Sequence, residues 1–214
     1  MMILTALLSG TALAGSADGI DNELSLEMGV IRSPDQTMDV LTGSDALSSW
    51  GLRLGYGISP NIGVVASWHH SRNSAYLTVN SASSYFDMDM DLTTNQLAIG
   101  PKVDIQLTHW LRPYITVQGM GVLGKLRIDE DPREDEDALL KYSDLNWGGF
   151  AAAGLDLVPG EQRQRVHPAF HLEMGYGKVL SMQFEDATAG NDATEIGDLD
   201  LQGFTVNAGL GIRF

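Results

Sequence analysis

Residues 201–214 read LQGFTVNAGLGIRF, and the alternation in this stretch decides the fold. Counting back by twos from the last residue gives Phe214, Ile212, Leu210, Ala208, Val206 and Phe204. Between them lie Arg213, Gly211, Gly209, Asn207, Thr205 and Gly203. A β-strand turns successive side chains to opposite faces. The segment therefore has one wholly apolar face and one small or polar face, suited to a wall between hydrocarbon and a polar interior.

The same pattern recurs upstream. Leu24 to Ile31 sets Leu24, Leu26, Met28 and Val30 against Ser25, Glu27 and Gly29. Ser48 to Ile58 sets Trp50, Leu52, Leu54, Tyr56 and Ile58 against Gly51, Arg53, Gly55 and Gly57, and the turn Ser59-Pro60-Asn61 follows. A third strand puts Ile62, Val64, Ala66 and Trp68 opposite Gly63, Val65, Ser67 and His69. Asn95 to Gln106 alternates about Pro101, where a missing ladder donor predicts a bulge. Leu111 to Arg127 opposes Ile115 and Val117 to Tyr114, Thr116 and Gln118, but its phase is ambiguous past Gly119-Met120-Gly121. Trp147 to Val158 and a seventh strand with Phe170, Leu172, Met174 and Tyr176 on one face complete eight segments with the last. Most approach the roughly 9–11 residues of a membrane-spanning β-strand.

Length and charge narrow the class. With 214 residues, 24 Gly and no Cys, the chain fits a single all-β domain without disulfides or thiol chemistry. A net charge of −15 excludes nucleic acid as a natural partner, since phosphates would be repelled. The opening residues hold an apolar run from Met2 to Leu8 and then Ala12-Leu13-Ala14, which predicts a signal peptide over 1–14 cleaved after Ala14. No Lys or Arg precedes that run. Residues 15–23 then form a lead, and 24–214 the barrel domain.

Connections are expected to alternate long and short along the chain. The long ones fall in 32–45, 71–90, 129–144 and 185–200, and the stretches 32–45, 87–91, 129–144 and 185–200 carry 20 of the 28 acidic residues. Outer-membrane barrels have even strand numbers, short periplasmic turns and longer extracellular loops. With its terminal Phe, apolar alternation and LRPYITVQGMG strand, the chain resembles the small eight-stranded bacterial outer-membrane β-barrel family, OmpA/OmpX-like and opacity-porin-like. The resemblance implies an all-β, eight-stranded antiparallel up-and-down transmembrane barrel in the outer membrane of a Gram-negative bacterium. It further implies an assembly signal in Phe204, Val206, Leu210, Ile212 and Phe214, read by the barrel-assembly machinery. The surrounding outer-membrane lipid and lipopolysaccharide would be its other partners, together with an extracellular partner the sequence does not identify.

With the apolar face outward, the lumen receives a polar network of Glu27, Arg53, His69, Lys102, Asp104, Asp156, His171, Glu173 and Arg213. Ser67, Gln96, Tyr114, Gln118 and Asn207 join it there. Eight strands leave a bore about wide enough for side chains to fill. The expected role is therefore structural or surface interaction through the acidic loops, without catalysis, cofactor or metal. A narrow channel, gated by protons at His69 and His171, is the alternative. The string WHHSRN is similar to the local His-x-Ser-Asn of outer-membrane lipid A deacylases, with Arg72 where that motif has Asn, and would make His69 and Ser71 a hydrolytic pair. A soluble, lipocalin-like barrel would instead turn the apolar face inward around a ligand.

Overall fold

Each alternating segment forms a strand, and neighbouring strands pair antiparallel until the sheet closes on itself. The computed structural model describes residues 21–33, 46–81, 84–108, 110–129, 140–159, 166–180, 182–183, 198–199 and 201–214. The strands are β1 (Glu23–Arg32), β2 (Ala46–Ser59), β3 (Ile62–Ser81), β4 (Ser84–Asp104), β5 (Leu111–Asp129), β6 (Leu140–Leu157), β7 (His167–Val179), β8 (Met182–Gln183), β9 (Asp198–Leu199) and β10 (Gln202–Arg213). Eight of them, all but β8 and β9, form a closed ring in chain order, with β10 pairing both β7 and β1. The closing seam sets Leu26 opposite Leu210 and Val30 opposite Val206. Closure leaves no free edge around the ring, which a wall in lipid requires because no water is there to satisfy backbone groups. The signal-peptide segment 1–14 and most of the lead lie outside the described residues.

The apolar face points out. Met28 is 74% exposed and Phe204 72%, and Val206, Leu210 and Ile212 lie on the same outer face. Leu97, Ile115, Val117, Leu172 and Met174 extend this apolar surface around the barrel. A continuous apolar exterior of this kind has no place in water. It also overturns the lipocalin-like arrangement, whose apolar face would line the inside. Trp50, Tyr56, Trp147 and Tyr176 are exposed on the exterior, and Trp50 meets Trp68 edge-on at 5.2 Å. Aromatic rings at such positions mark the interfacial girdles of membrane barrels.

Three expectations need correction. First, residues 71–90 are not a loop. β3 and β4 pair without interruption from Ile62 opposite Val103 to Ser81 opposite Ser84, so the polar stretch is a tall hairpin. The acidic string 87–91 lies within β4, where Met90 is buried and Asp91 borders the exterior. Second, Pro101 causes no bulge. The β4–β5 ladder skips residues 100 and 101 and resumes in the same register, Ile99 opposite Gly119 and Lys102 opposite Thr116. A proline removes one donor without requiring an extra residue; the Thr116 hydroxyl donates to the Pro101 carbonyl at 3.0 Å. The irregularity falls instead between Gly57 and Ser59 of β2. Third, β6 begins at Leu140 rather than Trp147. The remaining acidic stretches, mostly within 34–45, 130–139 and 184–197, lie outside the described residues.

The wall is uneven in height. β3, β4, β5 and β6 run 20, 21, 19 and 18 residues, whereas β1, β2, β7 and β10 run 10, 14, 13 and 12. β2 pairs with β3 only as far as Ser71, and β7 with β6 only as far as Gly148. Beyond those pairs β3 to β6 continue as a four-stranded sheet at the long-connection end, the two tall hairpins standing side by side.

Candidate functional site

The interior carries the chemistry, and it comes in two layers. In the layer near the short turns, every one of the eight barrel strands contributes a polar side chain. Glu23 and Glu27 come from β1, Arg53 from β2, His69 from β3, and Lys102 and Asp104 from β4. Tyr114 comes from β5, Asp156 from β6, His171 and Glu173 from β7, and Asn207 and Arg213 from β10. The period of two selects them: on each strand the inward residues are those between the apolar ones.

Two carboxylates anchor the upper part of this layer. Arg53, 2% exposed, donates to Glu173 at 2.9 Å and lies 3.4 Å from Glu27. Glu173 also accepts from the Tyr114 hydroxyl at 3.0 Å and from the Asn207 amide at 3.3 Å. Glu27 sits between two imidazoles, with His171 Nε2 at 2.6 Å and His69 Nε2 at 2.9 Å. Below them, Asp156 holds Lys102 and Arg213, both at 2.6 Å. Arg213 reaches Glu23 at 3.1 Å, and Lys102 reaches Asp104 at 3.2 Å.

Tyr114 ties the two groups together. Its ring lies under the Arg53 guanidinium at 4.9 Å and the Lys102 ammonium at 4.3 Å, both within cation–π range. His171 bridges in the same way, with its other ring nitrogen 3.7 Å from Glu23. Two glycines make room for these bulky groups. A Cβ at Gly154 would strike the Tyr114 ring, and one at Gly209 would strike the His171 imidazole. Buried ions of opposite sign tolerate burial only when so paired.

All nine lumen residues named from the sequence therefore lie inside and within ion-pair reach of a partner. Glu23, Tyr114 and Asn207 belong to the same network. Glu23 lies one residue before the Leu24–Ile31 alternation, as the first residue of β1; its parity with Ser25 and Glu27 is the signal that places it inward. Arg112, paired with Asp21 at 2.5 Å, adds a further ion pair on the short-turn side.

The second layer, toward the long connections, is mostly apolar, with Ser49, Ser71 and Thr94 set into it. Leu47, Ala75, Met90, Leu92, Ala98, Met120, Val122, Leu126, Ile128, Tyr142, Val179 and Leu201 form one buried cluster, with Ile31 and Phe150 packed against it. Leu92 and Val122 are fully buried and Leu126 is 1% exposed. The ambiguous phase after Gly119 thus resolves as a plain continuation: Met120, Val122, Leu126 and Ile128 face in, and Leu123, Lys125 and Arg127 face out. Between the layers lies a cavity of about 50 Å³, touched by Arg53, Glu173 and Asn207 from below and by Leu47, Met120 and Val179 from above. That volume is room for a few water molecules.

The WHHSRN string divides between the faces. His69 points to Glu27, and the Ser71 hydroxyl is bonded to that of Thr94 at 2.7 Å, so neither contact joins Ser71 to His69. His70 faces outward beside Asn95, 3.1 Å away. A nucleophilic Ser needs its base within hydrogen-bond reach. In this arrangement Ser71 has a threonine hydroxyl in that place.

A closed eight-stranded antiparallel barrel with an apolar exterior and a charged interior is a membrane-spanning barrel of the outer-membrane type. Solved structures are similar to this chain to differing degrees. The outer membrane protein OprG from Pseudomonas aeruginosa superimposes with a TM-score of 0.57 over 94% of this chain and 98% of its own, at 14% identity. Ail, the attachment invasion locus protein of Yersinia pestis, gives 0.48 over 91% and 99%, also at 14% identity. The outer membrane protease OmpT from Escherichia coli gives 0.39 over 92% and 97%, at 8% identity. No family model matches the chain, and no curated protein matches it by sequence. The likeness to OprG establishes the fold, and fold and exterior together are those of a Gram-negative outer-membrane barrel.

Proposed function

We propose that this chain is a non-conducting outer-membrane barrel whose role is structural and interactive, performed by its exterior and its long connections rather than by flow through its bore. The observation that carries this reading is the charged network to which all eight strands contribute, with a largely apolar layer stacked on it. An ion crossing the lumen would have to break the Arg53–Glu173 and Asp156–Arg213 pairs and then pass a layer walled mainly by Leu47, Leu92, Val122 and Leu126. Acidic residues concentrated in the connecting stretches support a hydrated contact surface at the other end. Insertion through the barrel-assembly machinery, with Phe204, Val206, Leu210, Ile212 and Phe214 as its signal, belongs to the same proposal.

The test is ion conductance of the refolded protein in a planar bilayer, on material whose unboiled gel band migrates apart from the boiled one. A folded barrel that stays silent supports the proposal. Reproducible unitary steps that change with Glu173→Gln would overturn it in favour of a narrow channel.

A further inference from the structure

The exterior of β3 to β6 carries a feature that the lumen does not explain. Only 13 residues of this acidic chain are Lys or Arg, and three of them, Arg72, Lys125 and Arg127, lie outward within one small area at the long-connection end. Register places them on two adjacent rows across the sheet. One row is Arg72, Thr93, Lys125 and Ser143; the next is Ser74, Asp91, Arg127 and Lys141. A surface groove of about 530 Å³ is walled by His70, Arg72, Asp91, Thr93, Lys125 and Arg127. Asp91 accepts from Arg72 at 2.7 Å, which holds the guanidinium in place while its side chain stays 67% exposed, with further N–H donors to offer.

What lies beside the groove identifies its occupant. Two rows nearer the short turns, the exterior holds Trp68, Leu97 and Trp147, and the row between holds Leu123 and Leu145. Within four residues along each strand the outer surface thus passes from aromatic and aliphatic groups to a cluster of cations. With the short turns on the periplasmic side, as in outer-membrane barrels, that transition falls at the outer leaflet. A ligand that fits both parts has acyl chains directly beneath a phosphorylated headgroup.

We propose that the groove binds a phosphate of the lipid A headgroup of lipopolysaccharide, with Lys125 and Arg72 as the contacting cations, Arg127 and His70 flanking them, and the acyl chains against Leu97, Leu145 and Trp147. The chemistry is charge-assisted hydrogen bonding to phosphate oxygens, where Arg offers a bidentate fork and Lys a point charge. A free anion meets only the groove, whereas the lipid meets the groove and the apolar rows together.

The test uses the full chain refolded in phosphatidylcholine nanodiscs, with bis-phosphorylated lipid A and its fully dephosphorylated counterpart as the added lipids. Native mass spectrometry reads the bound lipid. The wild-type barrel should retain lipid A, and Arg72→Gln combined with Lys125→Gln should weaken retention about tenfold or more, the scale of losing charged hydrogen bonds. Arg72→Lys with Lys125→Arg should restore most of it. Dephosphorylated lipid should bind both proteins equally and weakly. Equal retention of the two lipids, an unchanged double variant, or full displacement by millimolar inorganic phosphate would overturn the proposal. The heat-dependent gel shift, unchanged in both variants, excludes misfolding as the cause.

Discussion

Near the short turns the bore is filled with paired charge, and near the long connections mostly with hydrocarbon; each half closes the lumen by a different physical route. In the charged half every group depends on a partner across the bore, so cutting one side strands the other. In the apolar half a missing side chain leaves only a void. The comparison explains why an outward-facing leucine on this barrel and an inward-facing one have unrelated jobs. The first meets lipid, while the second replaces the salt bridges that the lower half uses.

The largest effect should follow Arg53→Met, which leaves Glu27 and Glu173 buried without their guanidinium. A loss of about 3–5 kcal/mol is expected, the scale for breaking a buried pair from one side. Urea unfolding of the refolded barrel, followed by tryptophan fluorescence, measures it. A loss below about 1 kcal/mol would mean that the lower half is wet and screened, which would erase the contrast between the halves. Leu126→Ala should cost less, about 2–3 kcal/mol, as a transfer and cavity penalty. The same unfolding series checks it, and an unaltered midpoint would show that the upper cluster is not load-sharing. Tyr114→Phe should be the mildest. It removes the hydroxyl that donates to Glu173 and accepts from Arg53 but keeps the ring between the two cations, so about 1 kcal/mol is expected. A cost equal to that of Arg53→Met would show that the hydroxyl, rather than the guanidinium, holds the network together.

Much of this architecture is legible wherever the two faces of a strand differ. In β10, Phe204 to Phe214 alternate against glycine and polar residues, so period, face and the inward position of Arg213 can all be read directly. The same holds for Arg53 and Glu173. Legibility fails where both faces are alike. Between Val117 and Met120 the apolar residues pass from the outward face to the inward one, so the hydropathy pattern changes phase although the strand continues unchanged. In 71–90 it fails for the opposite reason, because the hairpin stands beyond the apolar band and its outward positions include Arg72 and Ser74. Pairing was beyond the sequence altogether. That Asp156 holds both Lys102 and Arg213 depends on how three strands align across the bore, which the periodicity of any one strand does not encode.

The uneven wall has a consequence for how the surface can change over time. A twenty-residue strand runs about 65 Å along its own axis, against roughly 35 Å of tilted strand needed to cross an apolar band about 25 Å tall. The surplus in β3 to β6 is held up by backbone ladders and, on its inward side, by buried Ala75, Met90, Leu92, Leu126 and Ile128. Its outward positions, such as Arg72 and Ser74, carry none of that packing and can therefore change while the projection keeps its reach.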